Sequence, residues 1–206
     1  MSGVAIYMEG GGDGRDTKVS LRQGMEVFLA SLKQTVISAG WRWRLIPCGG
    51  REQTYRRFHD AWSDGNATIV VLLVDAERPV REEARRHLIS YDRWDLPSDT
   101  ADIVHLMVQT METWIVADRE ALADYYGQGF HAQALPRAEN LEGVEKTRIA
   151  TALSRATRTT RKGEYHKIRH GGALLARIRP GVVRERCPGC DRLFVEIGRL
   201  ILPAVP

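Results

Sequence analysis

Cysteine is scarce. Cys48, Cys187 and Cys190 are the three in 206 residues, too few and too unevenly placed for a disulfide framework, which points to a reducing compartment. No stretch approaches the roughly 18 consecutive apolar residues that a membrane span requires, and residues 1–14 lack a basic region followed by an apolar one. The expectation is a cytoplasmic chain without a membrane partner. Repeats and low-complexity tracts are missing, and 43% hydrophobic with 27% charged residues excludes both wholesale disorder and a fibrous architecture. Phosphate-loop signatures are missing too. There is no G-x-x-x-x-G-K-[ST], and G-x-G-x-x-G fails in the cluster Gly10 to Gly14 because Arg15 or Thr17 stands where the last glycine belongs.

What is present is the alternation of an α/β domain. Val4 to Met8 is a short apolar run stopped by Glu9 and the glycine cluster, as a strand leaving into a loop would be. Leu21, Met25, Phe28, Leu29, Leu32 and Val36 then recur at three and four, predicting one amphipathic helix that ends at Gly40. Trp41 to Ile46 reads as a second strand, with a turn from Pro47 to Gly50, and Tyr55, Phe58 and Trp62 mark a second helix. Ile69 to Val74 (IVVLLV) is what a strand buried on both faces looks like, and such strands belong to parallel sheets covered by helices. Arg81 to Tyr91 predicts a charged helix, Ile103 to Val108 a fourth strand, and Glu112 onward a helix toward Tyr125.

The expected fold is therefore an open, mainly parallel sheet with helices on both faces over residues 1–126. A mostly helical, basic extension over 127–206 would pack on that core. It contains helices at Val144 to Ala156 and around Leu174, Leu175 and Ile178, the latter ended by Pro180, and a final apolar segment from Leu193 to Leu202.

Charge is polarised along the chain. Between Arg155 and Arg186 ten Lys/Arg face two acids, Glu164 and Glu185, a local +8 in a chain of net +4, so the remainder sums to −4. Such a block is either a footprint for a phosphate backbone or a solvated face.

In open parallel sheets ligands bind beyond the carboxyl ends of the strands. Three predicted strands deliver acids there. Glu9 ends the first, Asp75 and Glu77 end the third, and Glu112 follows the fourth, with Asp13 in the glycine loop. A lone acid in such a loop is more often a helix cap, but carboxylates gathered from three strands repel one another, and a divalent cation with oxygen ligands relieves that cost most readily. Mg²⁺ or Mn²⁺ is the natural guest.

Several segments together resemble a known family. Tyr7-Met-Glu9-Gly, Leu-Leu-Val-Asp75-Ala-Glu77, His105 through Glu112 to Asp118, and Lys162-Gly-Glu-Tyr-His166-Lys167 with His170 are similar to the bacterial family catalogued as domain of unknown function 4276. That family looks like a compact member of the TOPRIM superfamily, whose proteins place a Glu after the first strand and Asp-x-Asp after the third. Here the second element is Asp75-x-Glu77, which keeps an oxygen ligand with a longer reach.

The resemblance implies phosphodiester chemistry, with Mg²⁺ or Mn²⁺ held by Asp75, Glu77 and Glu112, and with Glu9 as ligand or general acid/base. In 206 residues there is no room for a topoisomerase's separate tyrosine domain or a primase's template modules. A small nuclease cutting DNA or RNA is the simplest expectation, as the effector of an anti-phage defence system acting with an ABC-type ATPase. A non-catalytic adaptor of such an ATPase and a hydrolase of small phosphate metabolites are the alternatives. Lys162, His166, Lys167, Arg169 and His170 would contact phosphates. Cys187-Pro-Gly-Cys190 looks like half a zinc knuckle, but a tight turn bearing two thiols is the favoured reading and zinc the minority one.

Overall fold

The structure, a computed structural model, describes residues 2–12, 14–65 and 68–201. Asp13 and Leu202 lie outside the described residues. Four strands form the sheet: β1 (Gly3–Glu9), β2 (Arg42–Gly49), β3 (Thr68–Asp75) and β4 (Val104–Met107). All neighbours pair in parallel, in the order β2-β1-β3-β4. From β1 the chain steps to β2 on one side and then crosses back to β3 on the other. The order therefore switches between β1 and β3, and the crevice outside their carboxyl ends is where such a sheet binds ligands.

Successive side chains point to opposite faces, so each central strand feeds two cores. Val4, Ile6 and Met8 of β1 join Val71 and Leu73 on one face, while Ala5, Tyr7, Val70, Leu72 and Val74 occupy the other. The second face is covered by α3 (Arg51–Ser63) and α4 (Ala84–Asp92), through Phe58 and Leu88. The first carries the remaining helices: α1 (Arg15–Phe28), α2 (Ala30–Ser38), α5 (Met111–Ala117), α6 (Arg119–Tyr126), α7 (Lys146–Thr157), α8 (Lys167–Leu175), α9 (Pro180–Arg186) and α10 (Pro188–Ile201). Leu153, Leu174, Leu193 and Ile197 from the C-terminal helices sit in the same core as Ile6 and Met8. The fold is α/β, and the helical extension shares the core of the sheet.

Four local readings change. The single helix expected over Leu21 to Val36 is two, α1 and α2, joined at Leu29; Leu29 N–H still bonds Met25 O at 2.9 Å and Lys33 N–H bonds Leu29 O at 2.9 Å, so the apolar stripe runs on across the break. β2 continues through Pro47 to Gly49, which an edge strand tolerates because its outer N–H groups have no ladder partner to lose. Pro180 does not end a helix but starts α9, where its missing N–H costs nothing. Finally, the helix after Glu112 breaks at Asp118, which caps α6. Asp118 is fully buried, and its carboxylate accepts from Ala121 N–H (3.2 Å) and from Arg179 N–H (2.9 Å), Nε (2.8 Å) and Nη2 (2.7 Å), tying α6 to the start of α9.

α1 and α8 cross with almost no space between their backbones. A Cβ on Gly24 would lie 2.1 Å from Gly172 O, and one on Gly172 would lie 2.5 Å from Ser20 O. Two glycines thus let α8 lie directly on α1, with its N-terminal residue Lys167 aimed at the strand ends. Among the described residues no helix is long and apolar enough to cross a membrane.

Candidate metal centre at the strand ends

β1 and β3 run side by side, so their last residues emerge together. Glu9 and Asp75 sit on either side of the switch point, and Asp75 N–H donates to Glu9 Oε2 at 3.2 Å. Two residues beyond, Glu77 adopts a left-handed backbone (φ 63°), a conformation that costs a side-chain-bearing residue roughly 1–2 kcal/mol. Its N–H is held by Gln109 O at 2.8 Å, and the bend keeps its carboxylate with the others. Glu9, Asp75 and Glu77 each offer an oxygen, all within 4.8 Å of one another; among the described residues this is the one such group of three metal-ligating side chains. Glu112, in the first turn of α5, stands behind Asp75 and is joined to it through Lys167.

Cations surround these acids. Lys167 Nζ lies 2.9 Å from Asp75 Oδ2 and 3.5 Å from Glu112 Oε2. Arg51, at the start of α3, donates to Glu9 Oε2 at 3.3 Å and to the Asp75 carbonyl, while Asp92 grips its other edge at 2.7 and 2.8 Å. Lys146 pairs with Glu77. Tyr165 OH donates to Glu112 Oε1 at 3.0 Å, and Met111 N–H donates to Asp75 Oδ1 at 2.7 Å. Five carboxyl groups thus share three cationic groups, two fewer than one partner each.

Burial, then the charge of Asp75, pushes Glu9 up to about 7 against the pull of Arg51. Burial likewise raises Asp75 above the usual carboxylate range, with Lys167 opposing and Glu112 adding to the rise. For Lys167 burial works against the charge, but Asp75 and Glu112 outweigh it and hold the ammonium above its ordinary value. Tyr165 is pushed well up by burial and by Glu112, so its phenol remains a donor. Carboxylates left short of positive charge, in an all-oxygen set, suit a hard divalent cation. The residues present can hold a metal ion.

Beside the acids opens a cavity of about 210 Å³, polar along Glu9, Asp75 and Lys167 and apolar along Leu21, Met107, Met111 and Ile168. Gly10, Gly11 and Gly12 form its rim. Their positive φ angles fold the loop back on α1, so closely that a Cβ on Gly11 would lie 2.8 Å from Lys18 Cγ. Close approach to a helix is what these glycines visibly serve.

The basic residues singled out in the sequence part company here. Lys167 belongs to the acidic centre. His166 occupies the N-cap position of α8 without a side-chain cap bond, Lys162 lies over the Tyr125 ring at 5.1 Å, and these two with Arg169 are exposed. His170 turns inward, 7% exposed, so it offers no surface to a phosphate. Its Nδ1 faces His166 N–H (3.2 Å) and Tyr126 OH (3.1 Å), which assigns the proton to Nε2, and burial with the positive charge of Arg169 lowers its pKa. Cys187 and Cys190 are buried where α9 meets α10, and burial pushes both thiols up.

Arg51, Lys146 and Tyr165 escaped the sequence reading as members of the site. For Arg51 the signal exists: it follows the end of β2, a position where a cation can face the carboxylates of neighbouring strand ends. Nothing comparable marks Lys146.

An open parallel α/β domain with a carboxylate cluster at its topological switch point is the class that fold and site define. The chain belongs to the DUF4276 family, described as a domain of unknown function, which it matches over residues 8–198. No curated protein and no solved structure is detectably similar to it.

Proposed function

We propose that this chain is a metal-dependent phosphodiesterase acting on DNA or RNA in the cytoplasm, as the nuclease effector of an anti-phage system that works with an ABC-type ATPase. One observation carries the reading: Glu9, Asp75 and Glu77 converge within 4.8 Å at the ends of the two strands that flank the switch point. The resemblance to TOPRIM proteins supports it, because these are the strand-end positions where such proteins carry their acids, and the defence role and ATPase partner rest on that resemblance alone.

Mg²⁺ or Mn²⁺ fits the all-oxygen set, held by Glu9, Asp75 and Glu77, while Glu112, expected as a fourth ligand, stands outside that group behind Lys167. Such an ion, when bound, supplies charge neutralisation at a phosphate and a water of lowered pKa. Glu9, with its pKa near 7, is suited to take and return a proton at neutral pH. Arg51 fixes its orientation through Oε2. Lys167 faces the cavity beside Asp75 and presents a cation to a phosphate oxygen. A second reading, a non-catalytic adaptor of the same fold, draws on the ion pairs that already occupy Glu9, Asp75 and Glu77.

Calorimetric Mn²⁺ titration separates the two. Saturable binding by the wild type, lost in Glu9→Gln and Asp75→Asn, is the expected result, and metal-dependent cutting of labelled DNA or RNA by the wild type alone should accompany it. A wild type that binds no Mn²⁺ at millimolar concentration and cuts neither nucleic acid would transfer the assignment to the adaptor.

A further inference from the structure

α7 presents different chemistry on its two sides. On one, Lys146 meets Glu77, and with Glu112 and Tyr165 it lines a groove that flanks the acidic centre. On the other, Arg148 and Arg155 form one wall of a separate groove of about 620 Å³, whose facing wall ends in Arg137. Thr147 lines both grooves, so the two adjoin at the first turn of α7. Seven residues separate the two α7 arginines, about 10 Å along a helix axis, or about three nucleotide rises of a strand.

These arginines are exposed, and among the described residues none of the three takes part in an ion pair. At Arg137 the groove runs into another, shared with Arg119 and Arg186 and rimmed by Glu139 and Glu185. Arg119 and Arg186 also lack ion pairs there; they bond the carbonyls of Ala132, and of Ala117 and Ala138, which fixes the guanidinium groups without neutralising them. Burial, then the charges of Arg137 and Arg186, lowers the Arg119 pKa, as expected where positive charge accumulates.

We propose that this arginine-lined groove is a binding site for the phosphodiester backbone of a nucleic acid, running along α7 toward the acidic centre. Guanidinium groups bind phosphate oxygens through paired N–H donors, and their spread over two joined grooves matches a succession of phosphates better than a single one. The site lies apart from Lys162, His166 and Arg169. Its destination rests on the phosphodiesterase reading of the centre, but binding does not require cutting.

Fluorescence anisotropy with labelled single-stranded DNA, single-stranded RNA and duplex DNA tests it. Combined Arg137→Ala, Arg148→Ala and Arg155→Ala should weaken the preferred probe at least about ten-fold and flatten the salt dependence by about three in slope. Arg56→Ala, on α3 across the sheet, should bind as the wild type does. Glu9→Gln should lose cutting and retain binding, and a wild type that binds a probe without cutting it would count against the catalytic reading only. A triple variant that binds every probe with wild-type affinity and salt slope, or a wild type that binds none of them, would overturn the proposal.

Discussion

Replacing Gly24 by alanine tests the contact that sets α8, and with it Lys167, against the strand ends. The added methyl would sit 2.1 Å from the carbonyl oxygen of Gly172, whereas ordinary contact begins at 3.4 Å, so the helices must separate by about 1 Å. The obstacle is backbone and cannot rotate aside, which puts the cost at the upper end for overpacking, about 3 kcal/mol. Alanine recovers about 1 kcal/mol of helix propensity, leaving a net loss of about 2 kcal/mol. Gly198→Ala, in α10, supplies the matched control: a methyl there meets nothing within 4 Å, so the propensity gain of up to about 1 kcal/mol stands alone. Equilibrium urea unfolding reads both, at unchanged m-value. The two variants should differ by about 3 kcal/mol in opposite directions from the wild type. If Gly24→Ala is as stable as Gly198→Ala, the packing argument fails, and so does the claim that two glycines aim Lys167 at Asp75.

Two further outcomes follow from buried acids. Asp118→Ala should cost at least the roughly 1 kcal/mol of a lost helix cap, and more because Arg179 N–H loses its acceptor. Although burial works against ionisation, the Arg179 and amide donors hold the Asp118 carboxyl below its ordinary range. Its stabilisation is therefore present at neutral pH and lost on acidification, and urea unfolding at low pH should show the variant less acid-sensitive than the wild type. Glu142, which accepts from Gly189 N–H at 2.7 Å, is raised by burial to about 7. A raised carboxyl stabilises the fold while protonated, so its contribution is complete below the unfolded value and disappears as pH rises through about 7. Glu142→Gln keeps an acceptor without the charge, and unfolding at pH 5 and pH 8 should lose up to about 3 kcal/mol of pH dependence. An identical pH dependence in the variant would show that Glu142 ionises freely.

The sheet and its acids were legible because both are local. Val4 to Met8 and Ile69 to Val74 announce buried strands by composition, and the position rule for open sheets then points at Glu9, Asp75 and Glu77 without tertiary information. The partners of these acids were harder to read, because they arrive from far along the chain: the Arg51 guanidinium is 42 residues from Glu9, the Tyr165 phenol 53 from Glu112 and the Lys146 ammonium 69 from Glu77, and of these only Arg51 carries a local mark, its place after a strand end. Charge density misled at His170, since counting basic residues does not say which turn inward. The break at Leu29 left no trace, because a stripe that survives the kink has the same spacing as one without it. Pro180 was visible, but proline marks a helix start and a helix end alike until the neighbouring element is known.

The sheet has two free edges, and they are guarded by different means. β2 carries Pro47, which presents no N–H, and the exposed arginines Arg42 and Arg44. β4 is only four residues long and lies beneath α10, whose Arg192 and Arg199 reach over to the Ala101 carbonyl and the Asp102 carboxylate. Strand edges left bare invite other chains to extend the sheet, and proline, charge, brevity and a covering helix are the recognised deterrents. The protein is thereby protected against edge-to-edge aggregation, and a partner protein finds no backbone template on which to add a strand.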